Sequence, residues 1–228
     1  MIFINWLKAL YYYIFVDKKQ NKFPFGIYFF CGRQGAGKTI SAVKYIKELQ
    51  QKYNCLVFSN CEVEGIDGII TDLSNLFEIV NNSGGANIVF FLDEVQTLFS
   101  CANSKNFDEN ILAFITQQRK NNVHIVVTSQ VFTRVAKPLR EQAFRVIDCK
   151  TYWGRCTINK VYDAFDYLER IEATTEDKKL KVKCLWGESF FQTDKIRNYY
   201  NTYETIHKLT FTGKRKIENG MVFDRIFD

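Results

Sequence analysis

Only two prolines and twelve glycines are spread over 228 residues, with no Pro-rich or Ser/Gly-rich run. The chain therefore lacks the composition of a linker and reads as one large domain or one domain with an appendage. No internal repeat is present, which excludes a solenoid. No C-x-x-C pair with a histidine partner occurs, and the cysteines at 31, 55, 61, 101, 149, 156 and 184 are odd in number and mostly inside apolar runs. A zinc site and a disulfide framework are thus excluded, and reduced core cysteines of a cytosolic protein are expected. Residues 1–16 are apolar and aromatic apart from Asn5 and Lys8, yet fall short of the ~20 residues of a spanning helix. They also lack the basic start and small-residue cleavage site of a signal peptide. Two readings stay open for them: a first helix packed on the domain's own core, or an interfacial or partner-docking helix. The net charge of +6 suits an anionic partner without choosing among DNA, ATP and an acidic membrane surface.

Apolar residues are plentiful: 46% of the chain is hydrophobic and 16% aromatic, ample for a buried core. The organising stretch is Gly32-Arg33-Gln34-Gly35-Ala36-Gly37-Lys38-Thr39, which fits the phosphate-loop pattern G-x-x-x-x-G-K-[ST] at every fixed position. Its flanks suit the motif, since Ile27-Tyr28-Phe29-Phe30-Cys31 is of buried-strand type and helical periodicity starts at Ile40. Gly32, Gln34, Gly35, Ala36, Gly37, Lys38 and Thr39 are the expected contacts of a nucleoside triphosphate, ATP. Backbone N–H groups and the helix N-terminus meet the phosphates, Lys38 reaches the β- and γ-phosphates, and the Thr39 hydroxyl holds Mg²⁺.

Farther along, Ala42, Ile46, Leu49 and Tyr53 form one helix face, and Cys55-Leu56-Val57-Phe58-Ser59 a second buried strand. Residues 60–70 read as irregular, and Leu73, Leu76, Phe77 and Val80 as the next helix. The second chemical element is Ile88-Val89-Phe90-Phe91-Leu92-Asp93-Glu94, an apolar strand ending in two carboxylates, a Walker B pattern. A strand buried on both faces delivers its last residues to the sheet edge where the phosphate loop lies, so Asp93 serves Mg²⁺ and Glu94 the attacking water as general base. Asn106 with Glu109 looks like a capping pair for a helix carrying Phe107, Ile111, Phe114 and Ile115. The stretch Val123 to Gln130 reads as another buried strand with a polar end, Gln130 being a γ-phosphate sensor candidate against the alternative of ordinary turn chemistry, while His124 at its start reads as a packed imidazole. A short helix at Leu139-Arg140-Glu141-Gln142 and a strand at Phe144-Arg145-Val146-Ile147-Asp148-Cys149 follow. Lys179, Lys181 and Lys183 alternate with Leu180, Val182 and Cys184, as in a lysine-protected edge strand or a DNA-contacting face. A polar, Tyr-rich helix near 192–208 and a solvated basic tail, Lys214-Arg215-Lys216, are expected at the end. Alternating strands and helices predict an α/β fold with a mainly parallel sheet flanked by helices. The divisions are 1–22, an apolar segment; 23–150, the ATPase core; and 151–228, a C-terminal extension packed on it.

The order of phosphate loop, aspartate-glutamate strand, Arg-bearing helix and strand ending in Ser-Gln resembles the FtsK/HerA superfamily of P-loop ATPases. Leu92-Asp93-Glu94-Val95-Gln96, Gln118-Arg119-Lys120-Asn121-Asn122-Val123-His124 and Asn198-Tyr199-Tyr200-Asn201-Thr202-Tyr203 are most similar to the zonula-occludens-toxin-like ATPases of filamentous phages. Small viral DNA-packaging ATPases are similar in length. The resemblance implies an ATP-hydrolysing, ring-forming motor of hexameric type, a homo-oligomer that packages or exports DNA and meets capsid or membrane-associated assembly proteins. It implies a place in the cytoplasm, the host's if the chain is viral, or at the periphery of a membrane or virion vertex. It also implies an arginine acting on the neighbouring subunit's nucleotide, with Arg145 ranked before Arg119, and Arg140 between them in sequence. The competing reading is a nucleotide-gated assembly or export scaffold at a membrane or capsid, against which the intact Asp93-Glu94 pair argues. A small-molecule kinase would need an arginine-rich lid, and no such segment is evident.

Overall fold

The computed structural model describes residues 22–101, 109–172 and 182–200, the side chain of Ser74 excepted. Eight strands form one sheet: β1 (Gly26–Cys31), β2 (Leu56–Ser59), β3 (Gly68–Ile69), β4 (Ile88–Leu92), β5 (Val123–Ser129), β6 (Ala143–Tyr152), β7 (Cys156–Asp163) and β8 (Trp186–Phe191). Their spatial order is β3-β2-β4-β5-β1-β6-β7-β8. The pairs from β3 to β6 are parallel, and β6, β7 and β8 are joined antiparallel. The helices are α1 (Lys38–Tyr53), α2 (Leu76–Asn82), α3 (Glu109–Thr116), α4 (Lys137–Glu141), α5 (Ala164–Glu172) and α6 (Asp194–Asn198).

Strict alternation of side chains along a strand divides each apolar run between two cores. Phe29, Phe90 and Val127 pack with Leu76, Ile79, Ile111, Phe114 and Leu139 on one face. Phe30, Phe91 and Val126 pack with Ala42, Val43, Ile46 and Leu49 of α1 on the other. Both faces are covered, so β4 and β5 are buried along their whole length and read as continuous hydrophobic runs rather than alternating ones. Full burial of a side chain such as Phe90 or Phe91 stabilises the fold by about 1.5–3 kcal/mol. α1 stops at Asn54, left-handed with φ 48°, whose N–H donates to the Gln50 carbonyl; asparagine tolerates this turn better than most side chains.

Several details differ from the sequence reading. Within 60–70 the chain forms β3, only two residues long and therefore below any periodic signal. Ile79 rather than Phe77 enters the core; Phe77 is partly exposed and meets Phe114 edge-on. Cys101 and Cys184 are exposed, whereas Cys31, Cys55, Cys61 and Cys149 are buried as expected. The edge strand β8 begins at Trp186, beyond the lysine alternation, and Lys183 lies outside it. Five of the six β8 residues are exposed, so this strand is set by backbone pairing to β7 and carries no amphipathic pattern to read. Of the expected Tyr-rich helix near 192–208, residues 192–200 are described, and only α6 within them is helical. Residues 1–16, Asn106, Phe107, Lys179, Lys181 and the basic tail lie outside them. No helix among the described residues is long and apolar enough to cross a membrane.

His124 sits at the end of β5 away from the phosphate loop, fully buried. Its Nδ1–H donates to the Gly26 carbonyl at 3.0 Å, which leaves Nε2 to accept from the Tyr45 hydroxyl at 3.1 Å. Tyr28 and Phe23 meet the ring edge-on. Burial pushes the His124 pKa down to about 3, so the folded chain refuses a proton that the unfolded chain accepts below about 6.5. The contribution is fully present above that value and is lost as pH falls toward 3, by about 1.4 kcal/mol per pH unit. Urea unfolding between pH 7.5 and 5 should show this slope, and His124→Gln should flatten it by that amount; equal slopes in the two proteins would refute the assignment.

Candidate functional site

The parallel strands β1, β4 and β5 end at one edge of the sheet, and the site is built there. Leaving β1, the chain turns through Gly32 and reaches α1 through Gly37, with φ of 151° and 82°. At both, a side chain is barred twice over. A Cβ on Gly32 would lie 2.8 Å from the Cys149 carbonyl oxygen, and one on Gly37 would lie 2.5 Å from Thr151 Oγ1. Both glycines also have the φ that side chains disfavour. Gln34 and Gly35 form the exposed tip of the loop, closed by the Ala36 N–H donating to the Arg33 carbonyl at 3.0 Å. Lys38, 6% exposed, places Nζ 3.6 Å from Glu94 Oε1 and within 3.5 Å of the Arg33 carbonyl.

The register Leu92↔Val127 between β4 and β5 carries Asp93 and Thr128 to neighbouring positions one residue on. Asp93 is 2% exposed. Its Oδ1 accepts from Thr128 Oγ1 at 2.6 Å and from Thr39 Oγ1 at 3.0 Å, and its Oδ2 accepts from the Tyr200 hydroxyl at 3.2 Å. Burial, with the Glu94 charge beside it, pushes the Asp93 carboxyl above its ordinary pKa, while the three hydroxyl donors pull the other way. Asn60, just past β2, fixes the backbone of Asp93 by accepting its N–H at 2.8 Å and donating to its carbonyl at 3.1 Å.

Glu94 adopts a left-handed backbone, φ 50° and ψ 48°, a state that costs a non-glycine residue roughly 1–2 kcal/mol. The surroundings hold it there. Its N–H donates to Thr128 Oγ1 at 2.8 Å, and its carbonyl accepts from the Thr97 N–H and hydroxyl at 2.9 and 2.8 Å. The turn aims the carboxylate back toward Lys38, where Oε2 accepts from Gln130 Nε2 at 3.4 Å and, more closely, from Gln96 Nε2. Strain concentrated in one residue beside a phosphate loop is the pattern of a functional group held in place by its neighbours.

A second group of residues braces the loop from behind. Thr151, near the end of β6, donates from Oγ1 to the Ala36 carbonyl at 3.0 Å and touches Thr157 Oγ1 at 2.9 Å. Gln192 Nε2 donates to Thr157 at 2.8 Å, and Gln192 Oε1 accepts from Arg197 at 3.0 and 3.2 Å. On α1, Ser41 donates to Asn159 Oδ1 at 3.1 Å. The antiparallel strands thus tie the loop and the first turns of α1 to the sheet.

The sequence candidates divide in two. Lys38, Thr39, Asp93, Glu94 and Gln130 are brought together. Arg145 and Arg119 are not: Arg145 pairs in register with Tyr28, toward the start of β1, and is bound to Asp163 at 2.6 Å with its guanidinium over Phe144. Arg119 precedes β5 and stands over Phe25. Arg140 meets Glu172 at 3.7 Å. Sequence reasoning missed Asn60, Gln96, Thr128, Thr151, Gln192 and Tyr200. Asn60 and Thr128 could have been found, since each lies at the end of a buried strand, as Asp93 does. No spacing points from Tyr200 to a carboxylate 107 residues earlier.

Residues 28–151 match the family model described as "ATPase family associated with various cellular activities (AAA)". No curated protein matches the chain significantly by sequence. Among solved structures, the N-terminal domain of zonular occludens toxin from Neisseria meningitidis superimposes with a TM-score of 0.53 at 14% identity, covering 78% of this chain and 99% of that one. This likeness is one of fold. B204, the DNA-packaging ATPase of Sulfolobus turreted icosahedral virus, gives a TM-score of 0.47 at 13% identity over 75% of this chain and 94% of its own. The flagellar accessory protein FlaH from Methanocaldococcus jannaschii gives 0.42 at 13% identity over 60% of this chain and 77% of its own.

Because Thr151 Oγ1 occupies the place a Gly37 side chain would take, Gly37→Ala should displace the loop from its brace. Affinity for a fluorescent ATP analogue is expected to fall tenfold or more while far-ultraviolet circular dichroism stays that of the parent. Unchanged affinity would show that the loop tolerates the methyl group and that the brace is not rigid.

Proposed function

Since the chain belongs to the ATPase family associated with various cellular activities, we propose that this ATPase is a motor that translocates or packages DNA as a homo-oligomeric ring, in phage or mobile-element genome packaging or assembly. The observation that carries the hydrolytic part is the convergence of Lys38 and the pinned Glu94 carboxylate at 3.6 Å on the phosphate-loop edge. A protein that only binds nucleotide has no need of a strained carboxylate aimed at its phosphate lysine. The DNA part is supported by the sequence resemblance to DNA-moving ATPases, and the net charge of +6 is compatible with it without selecting it. On this reading the chain works in the host cytoplasm or at an assembly site.

The residues fit an ATP–magnesium pair. Gly32 and Gly37 let the loop close against the groups behind it, where a Cβ on either would collide, and Thr39 and Asp93 present oxygen ligands 3.0 Å apart, the donor type that magnesium prefers. Bound there, Mg²⁺ would neutralise charge on the β- and γ-phosphate oxygens. Lys38 would exchange its ion pair with Glu94 for the γ-phosphate, releasing the carboxylate to take a proton from water as general base. Gln130 and Gln96 keep that carboxylate oriented. Gln96 Oε1, buried with no hydrogen-bond partner among the described residues, is an acceptor on the same side.

Lys38→Ala should abolish turnover with weakened binding, whereas Glu94→Gln should keep nucleotide affinity and lose about 10²-fold or more in kcat. Normal hydrolysis by Glu94→Gln would exclude Glu94 as the base. Hydrolysis by the parent protein should rise on adding double-stranded DNA; an ATPase rate indifferent to DNA would favour the nucleotide-gated scaffold.

For the ring, transition-state charge is met by an arginine of the adjoining subunit, with Arg145 the first candidate and Arg119 and Arg140 after it. Arg145 must leave Asp163 to act this way. Its loss should lower turnover by about 10³-fold with binding retained. Arg145→Ala subunits mixed with Glu94→Gln subunits should regain part of the activity, because some interfaces then pair an intact base with an intact arginine. No recovery with any of the three arginines, in mixed rings verified by native mass, would refute the trans arginine.

A further inference from the structure

After β8 the chain does not stop at the sheet edge. It turns through Gln192, whose side chain is fixed to Thr157 and Arg197, forms α6, and then runs to the opposite flank of α1. There the Glu64 N–H donates to the Tyr199 carbonyl at 2.9 Å, and Tyr200 forms a backbone bridge with Val63. Lys47 of α1 lies over the Tyr199 ring. Residues 193–200 thus lie as a strap whose two ends are fastened to the braced side of the phosphate loop and to the loop after β2. At the second end the Tyr200 hydroxyl turns inward to Asp93 Oδ2.

We propose that Tyr200 is a positioning residue for the Asp93 carboxylate, and that through it the strap is coupled to magnesium occupancy of the nucleotide site. The proposal rests on the reading of Asp93 as a magnesium-side carboxylate. An aspartate side chain turns readily about its last torsion, and both bonds from Thr39 and Thr128 converge on the same oxygen, Oδ1. Two donors on one oxygen leave the carboxylate free to swing about that point. A third donor on Oδ2 fixes its plane.

The location of the other end makes the contact more than a local tie. Asn60, which holds the main chain of Asp93 by two hydrogen bonds, is three residues from Val63, the backbone partner of Tyr200. The loop after β2 therefore fixes both the Asp93 backbone and the phenol that meets its side chain. A phenylalanine at 200 would preserve the ring packing and the bridge while removing only the donor, so the two roles are separable. Coupling of this kind is reciprocal: what orders the carboxylate for the cation must be ordered by the cation in turn.

The test uses the full chain with Tyr200→Phe, and Asp93→Asn as the reference for the site. Binding of a fluorescent ATP analogue is measured without divalent cation and during titration with MgCl₂. The parent should bind more tightly as Mg²⁺ is added, Asp93→Asn should lose that gain, and Tyr200→Phe should need about tenfold more Mg²⁺ for half of it with unchanged metal-free affinity. A Tyr200→Phe titration identical to the parent's, beside an Asp93→Asn protein that has lost the gain, overturns the role of Tyr200 and leaves the site reading intact. A parental titration by Asp93→Asn overturns the site reading itself. Equal weakening of Tyr200→Phe with and without Mg²⁺ reduces Tyr200 to a packing residue. Hydrogen exchange reads the second half: Mg²⁺ with the analogue should slow exchange over 193–200 in the parent and not in Tyr200→Phe, and equal slowing in both would overturn the coupling.

Discussion

A single carboxylate buried to 2% exposure at the end of β4 constrains everything near it. Left alone in that position a charge is costly enough that the group would take a proton or the strand end would open. Asp93 avoids this by gathering hydroxyls from α1, from β5 and from residue 200. Each of those donors commits an element. Thr39 fixes the rotation of α1, Thr128 fixes the register of β5 against β4, and Tyr200 brings the end of the described chain back across the domain. The carboxylate can be satisfied only when all of them are in place, so the cost of burying it becomes a condition on the assembly of the edge.

The opposite ends of the same strands show a different chemistry. There Phe23, Tyr28 and Tyr45 each meet His124 edge to face, Phe25 meets Phe144, and Arg119 and Arg145 lie over those last two rings. His124 is the neutral, doubly hydrogen-bonded member of this group. The sheet is thus polar at one end and aromatic at the other. Glu94, held left-handed, and His124, held uncharged, mark the two extremes along neighbouring strands.

Much of this was legible in the sequence wherever local pattern and chemistry coincide. Strands buried on both faces must be apolar throughout, so β1, β4 and β5 stand out as runs, and the residues ending those runs fall where parallel strands converge. Asp93, Glu94 and Gln130 were placed by that rule and Lys38 and Thr39 by the phosphate-loop pattern, and the five come together in space. Thr151, Gln192 and Tyr200 were not, because each is tied to the site by a hydrogen bond to a partner far away in sequence, and an exposed strand such as β8 leaves no alternation to announce it. Of the lysine alternation, Val182, Lys183 and Cys184 are described and precede β8 without joining it: a period of two is evidence for a strand only where one face has something to pack against.

The brace behind the phosphate loop bears on how the chain can be divided. The stretch that matches the family ends at residue 151, and the Thr151 hydroxyl holds the Ala36 carbonyl. Thr151 is itself steadied by Thr157, which Gln192 holds in turn. A fragment cut where the similarity fades would contain both nucleotide motifs and Thr151 itself, and yet have lost the Thr157 and Gln192 side chains that steady it. Here the unit of inheritance and the unit of mechanical integrity are of different length, and the shorter one has no independent claim to work.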